Sequence, residues 1–342
     1  MKILFIGVNK GGSKQTYNAI KKTYSQTKFL DTSKILNNFY YKIFYHISPI
    51  FFDHIITNFY KKKIIKFYDV IFFFNVEFIN EDSLKIVKKY SKKTYYYCAD
   101  NPFVKRDKQK WTLVKRIISK FDLIIFHQKN RENYVKKYKI KKYITIIPPY
   151  FKDIQQTSKK KITKKNIVFV GTWFPERGKF FYELKKKGFI VDIYGSQWDK
   201  DKKYYEYLKQ NIYLKDLNQR EYTKIINKYK IALGLLSKEN KDDITRRCIE
   251  IPATGTLLCA KRTHTLKKIL IENKEAIYFN HPNECIKNCT KLIKNSKLLI
   301  KITRNGQKKI IKVLKPEAER IFKKLLDPSY LDKNTNKFLY KF

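Results

Sequence analysis

The sequence predicts an α/β protein of two successive doubly wound parallel-sheet domains, and three observations carry that expectation. The chain has 342 residues, about twice the usual domain length, so two hydrophobic cores suit it better than one. Short β-branched and aromatic runs alternate with longer lysine-rich segments of helical period, the pattern of parallel strands covered on both faces by helices. The alternation is interrupted once, at Pro148 and Pro149, by a polar, aperiodic, lysine-rich stretch.

In the first half the strand candidates are Ile3 to Val8, Val70 to Phe74, Thr94 to Cys98, Leu123 to His127 and Ile144 to Ile147, with helices between them. The opening MKILFIGV runs at once into Asn9, Lys10 and Gly11. It therefore reads as a buried first strand rather than a secretory signal, and the expected location is cytoplasmic. The stretch from Asn38 to Tyr60 is the most apolar, but Lys42, His46, Pro49, Asp53 and His54 interrupt it and exclude a bilayer span. It reads as a helix packing an aromatic face on the sheet, with an amphipathic surface helix as the alternative. The second series runs through Ile167 to Gly171, Phe189 to Tyr194, Ile231 to Leu236, Thr256 to Cys259 and Ala276 to Phe279, and the tail from Leu298 to Leu326 reads as entirely helical. The expected organisation is a first domain over 1–150, a linker over 151–165, a second domain over 166–325, and a tail over 326–342 that crosses back to the first domain. Two such domains would place a ligand cleft between the carboxyl ends of their sheets.

Composition narrows the partners. The formal net charge of +46 invites a nucleic-acid reading. Nearly all of the positive charge is lysine, spread along the whole chain and accompanied by a surplus of Ile, Asn, Tyr and Phe, which is the amino-acid signature of an AT-rich coding sequence. Dedicated nucleic-acid binders concentrate their charge, so no specific nucleic acid is expected. A diffuse positive field would draw in anionic nucleotides, or hold the protein peripherally against an anionic membrane face. The five cysteines, Cys98, Cys248, Cys259, Cys285 and Cys289, form no CxxC pair, and neither a disulfide framework nor a metal site is expected.

Four stretches could carry chemistry. After the first strand, Gly11 and Gly12 form a strand-to-helix turn that lets a backbone approach a phosphate, or merely turns the chain. In VFVGTWFPERGK a strand ends at Gly171 and a helix starts near Pro175, with Arg177 and Lys179 at its first turn. Cations there are unfavourable unless an anion is nearby, and Arg177 offers a fork matched to phosphate oxygens. In ITRRCIEIPATGTLLCA the carboxylate of Glu250 sits among apolar neighbours, where it needs a ribose diol or an arginine as partner. Arg247 precedes it, and Gly255 lets the chain turn sharply into the next strand. In YYYCADNPF, Asp100 lies just past a strand end, where a turn cap explains it equally well. His127 also ends a strand and reads as a hydrogen-bonded structural residue.

These stretches resemble the CgeB-like branch of glycosyltransferases, related to the family-4 (group 1) retaining enzymes with a GT-B fold of two Rossmann-like domains. The resemblance rests on Arg247 to Gly255, on the downstream KEAIYFNHPNECI, on VFVGTWFPERGKFFYEL with VDIYGSQW, which ends the following strand at Gly195, and on YYYCADNPF. It implies a donor domain in the second half and an acceptor domain in the first. Glu250 would correspond to the second glutamate of the Glu-x7-Glu motif that binds the donor ribose, with Asp242 standing where the first glutamate is usual. Arg177 and Lys179 would hold the diphosphate, Arg177 and Asp100 would serve the transfer, and Gly11, Gly12, Gly171, Gly195, Arg247 and Gly255 would shape the donor site. The resemblance implies a retaining, metal-independent transfer from a nucleotide-diphosphate sugar to a glycan, lipid or protein acceptor, with no further cofactor. The rival expectations are a basic nucleic-acid or anionic-surface binding module and a nucleotide-sugar epimerase of the same fold.

Overall fold

The structure, a computed structural model, describes residues 1–156 and 165–339. The greater part of the expected linker, 157–164, lies outside the described residues. The chain divides into two units. Among the described residues the first comprises Met1–Ile147, the short segment Lys238–Asp242 and Ala318–Leu339; the second comprises Pro148–Ser237 and Asp243–Glu317.

The first unit contains β1 (Ile3–Gly7), β2 (Thr27–Asp31), β3 (Tyr68–Phe74), β4 (Ser91–Cys98), β5 (Leu123–Phe126) and β6 (Tyr143–Ile146). The second contains β7 (Lys165–Val170), β8 (Asp192–Gly195), β9 (Ile212–Leu214), β10 (Tyr229–Gly234), β11 (Leu257–Lys261) and β12 (Ile277–Phe279), and β13 (Phe338–Leu339) joins the first sheet. The orders are β13-β6-β5-β4-β3-β1-β2 and β12-β11-β10-β7-β8-β9, and every pairing is parallel. Parallel strands need crossovers, which the lysine-rich helical segments supply. Local signals set their starts: Asn80 caps Glu81–Lys89, Asn218 and Glu221 form a capping box on Gln219–Ile226, and Pro175 and Pro282 open their helices.

The two cores differ in chemistry. The first is aromatic, with Phe5 stacked on Phe72 at 5.6 Å and Phe74 on Tyr97 at 4.9 Å. The second mixes aliphatic side chains with Phe169, Phe181, Trp198 and three cysteines. Each fully buried Phe or Leu contributes roughly 1.5–3 kcal/mol.

Four expectations are corrected. The strands β2, β9 and β13 appear where none was expected: TKFLD, IYL and FL are short edge segments without a continuous apolar run. The strand expected from Phe189 starts at Asp192, because Gly188 adopts a φ of +72° and turns the chain out of the preceding helix. The tail is not one helix: Ser296–Lys308 passes through a π-helical stretch, Lys309–Leu314, to Lys315 at φ +51°, where the chain breaks before Ala318–Leu325. That last helix lies with the first unit from Ala318, where Phe322 meets Phe72 at 5.9 Å and Tyr97 at 5.7 Å, and Glu319 pairs with Lys22 at 3.0 Å.

Candidate functional site

In each sheet the strand order reverses once. The reversal falls between β1 and β3 in the first unit and between β7 and β10 in the second, and open α/β sheets take ligands outside the carboxyl ends of the strands at such a point. The carboxyl ends of β7 and β10 lead into the segments that hold Gly171, Arg177, Arg247 and Glu250. Those of β1 and β3 lead to Gly11, Gly12 and Glu77, and Asp100 follows β4.

In the second unit Glu250 is fully buried, and both its oxygens are engaged. Arg246 Nε lies 2.9 Å from Oε1, Arg247 Nη1 lies 2.9 Å from Oε2, and Gln219 Nε2 donates to Oε1 at 2.5 Å. Gln219 also accepts from Arg246 Nη2 at 3.2 Å. The guanidinium of Arg247 stacks 3.6 Å from the Tyr222 ring centroid, and that of Arg246 lies 5.6 Å from Phe151. The side chains of Arg246 and Arg247 stay 25% and 34% exposed against 0% for Glu250. The cluster thus offers solvent two fixed cations, with the acid behind them. This is the ion-pair alternative foreseen for Glu250. Gly255, at φ +78°, makes the expected turn into β11.

Arg177 is placed differently from its sequence reading. It is buried, its Nη1 donates to the Thr172 carbonyl at 2.5 Å, and its guanidinium lies 4.5 Å from the Phe174 ring and 5.2 Å from that of Phe169. A carbonyl and two ring faces lie against the guanidinium at the helix start. Lys179 points into solvent and comes within 3.9 Å of Glu183. Gly171 and Gly195 pack backbone to backbone, since a Cβ on Gly195, at φ +154°, would run into the Gly171 carbonyl. Trp198 Nε1 donates to that same carbonyl at 2.9 Å. The two glycines shape the loop ends of β7 and β8, and sequence reasoning missed the aromatic box around Arg177.

In the first unit Gly11 adopts φ +53° and opens α1 (Gly11–Thr23), whose N-terminal residue Lys10 provides no side-chain cap. The buried hydroxyls of Ser13 and Thr32 near this turn have no hydrogen-bond partner among the described residues. Asp100 exchanges two hydrogen bonds with Asn75, at 2.9 and 3.0 Å, and stands 3.8 Å from Arg106. Its carboxylate remains 37% exposed. Beside it Glu77 is buried with one long hydrogen bond from Tyr41, at 3.5 Å; burial raises its carboxyl pKa, and Lys110 opposes that rise. Asp242 joins this unit, where Arg131 Nη2 lies 3.2 Å away and Gln128 and Asn240 donate to it. His127 bonds the Tyr97 hydroxyl, the structural role expected of it.

Gln219, Tyr222 and Glu77 escaped the sequence reading. Gln219 and Tyr222 lie about thirty residues upstream of the glutamate they serve, and only the fold brings them to it. The cysteines also meet unexpectedly: Cys259 on β11 lies 3.9 Å from Cys285 and 3.6 Å from Cys289, in the apolar core of the second unit. A lysine-rich hollow lined by Lys85, Lys93, Lys120 and Lys142 opens at the amino edge of the first sheet, away from the strand ends that carry the other candidates.

Comparison with known proteins bears on the fold. Residues 177–320 match a family described as glycosyl transferase-like. No curated protein matches the sequence. Among solved structures, Anabaena HepE in complex with UDP-glucose superposes with a TM-score of 0.68 at 12% identity, covering 95% of this chain and 98% of that one. A sucrose-phosphate synthase from Thermosynechococcus elongatus gives 0.67 at 10% identity with the same coverage. A Listeria monocytogenes structure provisionally identified as a UDP-N-acetylglucosamine 2-epimerase gives 0.56 at 10% identity over the whole of both chains. These likenesses show the fold: two Rossmann-like α/β units of the GT-B type.

Proposed function

We propose that the protein is a glycosyltransferase that moves a sugar from a nucleotide-diphosphate sugar to a glycan, lipid-linked or protein acceptor. The observation that carries this reading is the pair of part-exposed guanidiniums, Arg246 and Arg247, locked by buried Glu250 beside the strand-order reversal of the second unit. That cluster lies within the residues matching the transferase-like family. Guanidinium forks suit diphosphate oxygens, and fixed donors stabilise the charge that grows on a leaving diphosphate without reorganising during the reaction. Glu250 then acts as a positioning residue. Gly171, Gly195 and Gly255 shape the surrounding loops, Arg177 stiffens the loop after β7, and Lys179 adds a mobile positive charge.

In the first unit, exposed Asp100 would orient the acceptor hydroxyl, and the turn at Gly11, Gly12 and Ser13 would take an anionic or hydroxylated group of the donor. As the anomeric carbon loses its bond to the phosphate oxygen, the acceptor oxygen forms the new one, and its proton passes to the leaving diphosphate. Transfer on the same face retains the anomeric configuration. The arginines supply the charge that a divalent ion would otherwise provide, so the reading assigns no metal.

A thermal-shift panel of UDP, GDP, ADP and their sugar conjugates tests this. A ligand at about a hundred times its dissociation constant should stabilise the wild type by roughly 2.7 kcal/mol. Arg247→Ala should abolish that gain for one nucleotide family. Equal stabilisation of wild type and variant by every polyanion, DNA included, would replace the transferase reading with a basic binding module. Product analysis separates transfer from epimerisation, because an epimerase needs no acceptor.

A further inference from the structure

The geometry points to a membrane-docking face on the first unit, formed by α2 (Asn38–His46), the turn Ile50–Phe52 and α3 (Asp53–Lys63), that inserts aromatic and aliphatic side chains into an anionic lipid surface. Helices that cover a sheet normally bury one face and expose a polar one. The residues Phe44, Phe52, Ile56 and Tyr60 do turn inward and are buried. The exposed positions of this segment are not uniformly polar: beside Lys42, His46 and His54, Phe39 is 67% exposed, Ile47 62% and Phe51 70%, with Tyr40, Ile50 and Ile55 also exposed. Half of the exposed large apolar side chains among the described residues fall between Phe39 and Phe67, which concentrates them on one segment of a lysine-rich chain. The Tyr40 ring meets Phe52 at 5.8 Å, bringing the start of α2 against the turn that carries Phe51.

Charge identifies the occupant. Lys42, Lys61, Lys62 and Lys63 are exposed along the same two helices, and none of them forms an ion pair among the described residues. Lys108 adds a further cation, its Nζ 2.8 Å from His46 Nδ1 on α2. Exposed apolar side chains carried on the same helices as unpaired lysines suit the boundary between anionic headgroups and acyl chains, where each partly inserted ring adds to the electrostatic attraction. A second copy of this chain fits poorly, because a two-fold interface would set these lysines against themselves. The inference does not depend on the transferase reading, since it concerns binding alone.

Co-sedimentation of the full chain with phosphatidylcholine vesicles, and with vesicles that also carry phosphatidylglycerol, tests it. The wild type should sediment with the anionic vesicles and much less with the neutral ones. The double variant Phe39→Ser/Phe51→Ser removes two solvent-exposed rings and should keep the wild-type melting temperature while binding the anionic vesicles roughly a hundredfold more weakly. A charge variant, Lys61→Glu/Lys62→Glu, should also lose binding, and more completely at low salt than at high. Unchanged binding of the serine variant would overturn the inference, leaving only a diffuse lysine effect. It would equally fail if the wild type ignored both vesicles, or if the serine substitutions turned a dimer into a monomer, which would make the face a self-interface.

Discussion

The carboxyl edges of the two sheets are built as opposites. In the second unit the acid, Glu250, is buried and its arginine partners reach solvent. In the first the arginine is buried and an acid is exposed: Arg131 donates to the carbonyls of Asn240 and Lys241 and to Asp242, while Asp100 stands partly open. Both edges contain arginine and carboxylate, so composition alone does not separate them. What separates them is which partner has been desolvated. A buried acid fixes cations that can still receive an anion, whereas a buried arginine is spent on the protein and leaves its edge able to accept protons or hydrogen bonds from neutral hydroxyls.

The sharpest way to break the comparison is Arg131→Ala. The substitution removes the ion pair of the largely desolvated Asp242 carboxylate and a donor to two carbonyls, and should cost about 3–5 kcal/mol of stability, read as a lowered urea midpoint at unchanged slope. Because Arg131 is structural, the variant should keep the full nucleotide-induced stabilisation that Arg247→Ala loses. If both arginine variants lose it alike, the two edges do not differ in kind.

Next in size is Asp100→Asn. The amide preserves the shape and at least one of the two hydrogen bonds to Asn75, so stability should change by less than about 1 kcal/mol. Turnover of donor in the presence of acceptor should fall roughly a hundredfold, with the nucleotide-induced stabilisation intact. Wild-type turnover would remove Asp100 from the transfer step.

Much of this arrangement was legible in the sequence. The strands that crossed the middle of each sheet announced themselves because burial on both faces requires continuous apolar runs such as VIFFF and IALG. Edge strands such as IYL, which is half exposed, carried no such demand. Glu250 stood out because its immediate neighbours are apolar. Its partner Gln219 did not, because a glutamine at a helix start is unremarked until the fold places it. Within Lys238–Asp242 only Asp242 drew notice, as an acid in a loop of several acids, yet the carbonyls of Asn240 and Lys241 are acceptors that hold Arg131. Arg177 was legible as a cation at a helix start, but its contacts with the aromatic faces of Phe169 and Phe174 and with the Thr172 carbonyl were not. Side chain to backbone bonds across distant loops leave no periodicity to read.

A finer probe uses Glu77, the buried acid of the first unit that has no arginine. Burial holds its carboxyl above the usual range, so the native state binds a proton more tightly than the unfolded chain does. With a raised pKa the contribution is fully favourable below the unfolded value and is lost as pH rises through the folded one. Glu77→Gln, neutral at every pH, should therefore leave stability near wild type in acid and raise it by about 1 kcal/mol at neutral pH. A variant less stable than wild type at neutral pH would mean that the ionised carboxylate is compensated, and the contrast with Glu250 would shrink.

The smallest expected effect comes from a surface acid of the second unit. Arg262 bridges Glu272 at 2.6 Å and Glu284 at 2.5 Å, and its hydrogen bonds lower the Glu284 carboxyl to about 2. Here the folded pKa is depressed. The stabilisation is present above the unfolded value near 4.5 and is lost as pH falls towards 2. The group remains in contact with solvent, so screening limits the gain to about 0.5–1 kcal/mol. Glu284→Gln should lower the melting temperature slightly at neutral pH, and the difference from wild type should vanish in strong acid and diminish in high salt. That is the reverse of the Glu77 profile, and the reversal follows from one variable: Glu284 meets an arginine where water can still reach, whereas Glu77 is buried without one. If the two substitutions changed stability with pH in the same direction, access to an arginine would not be what decides how a carboxylate behaves in this fold.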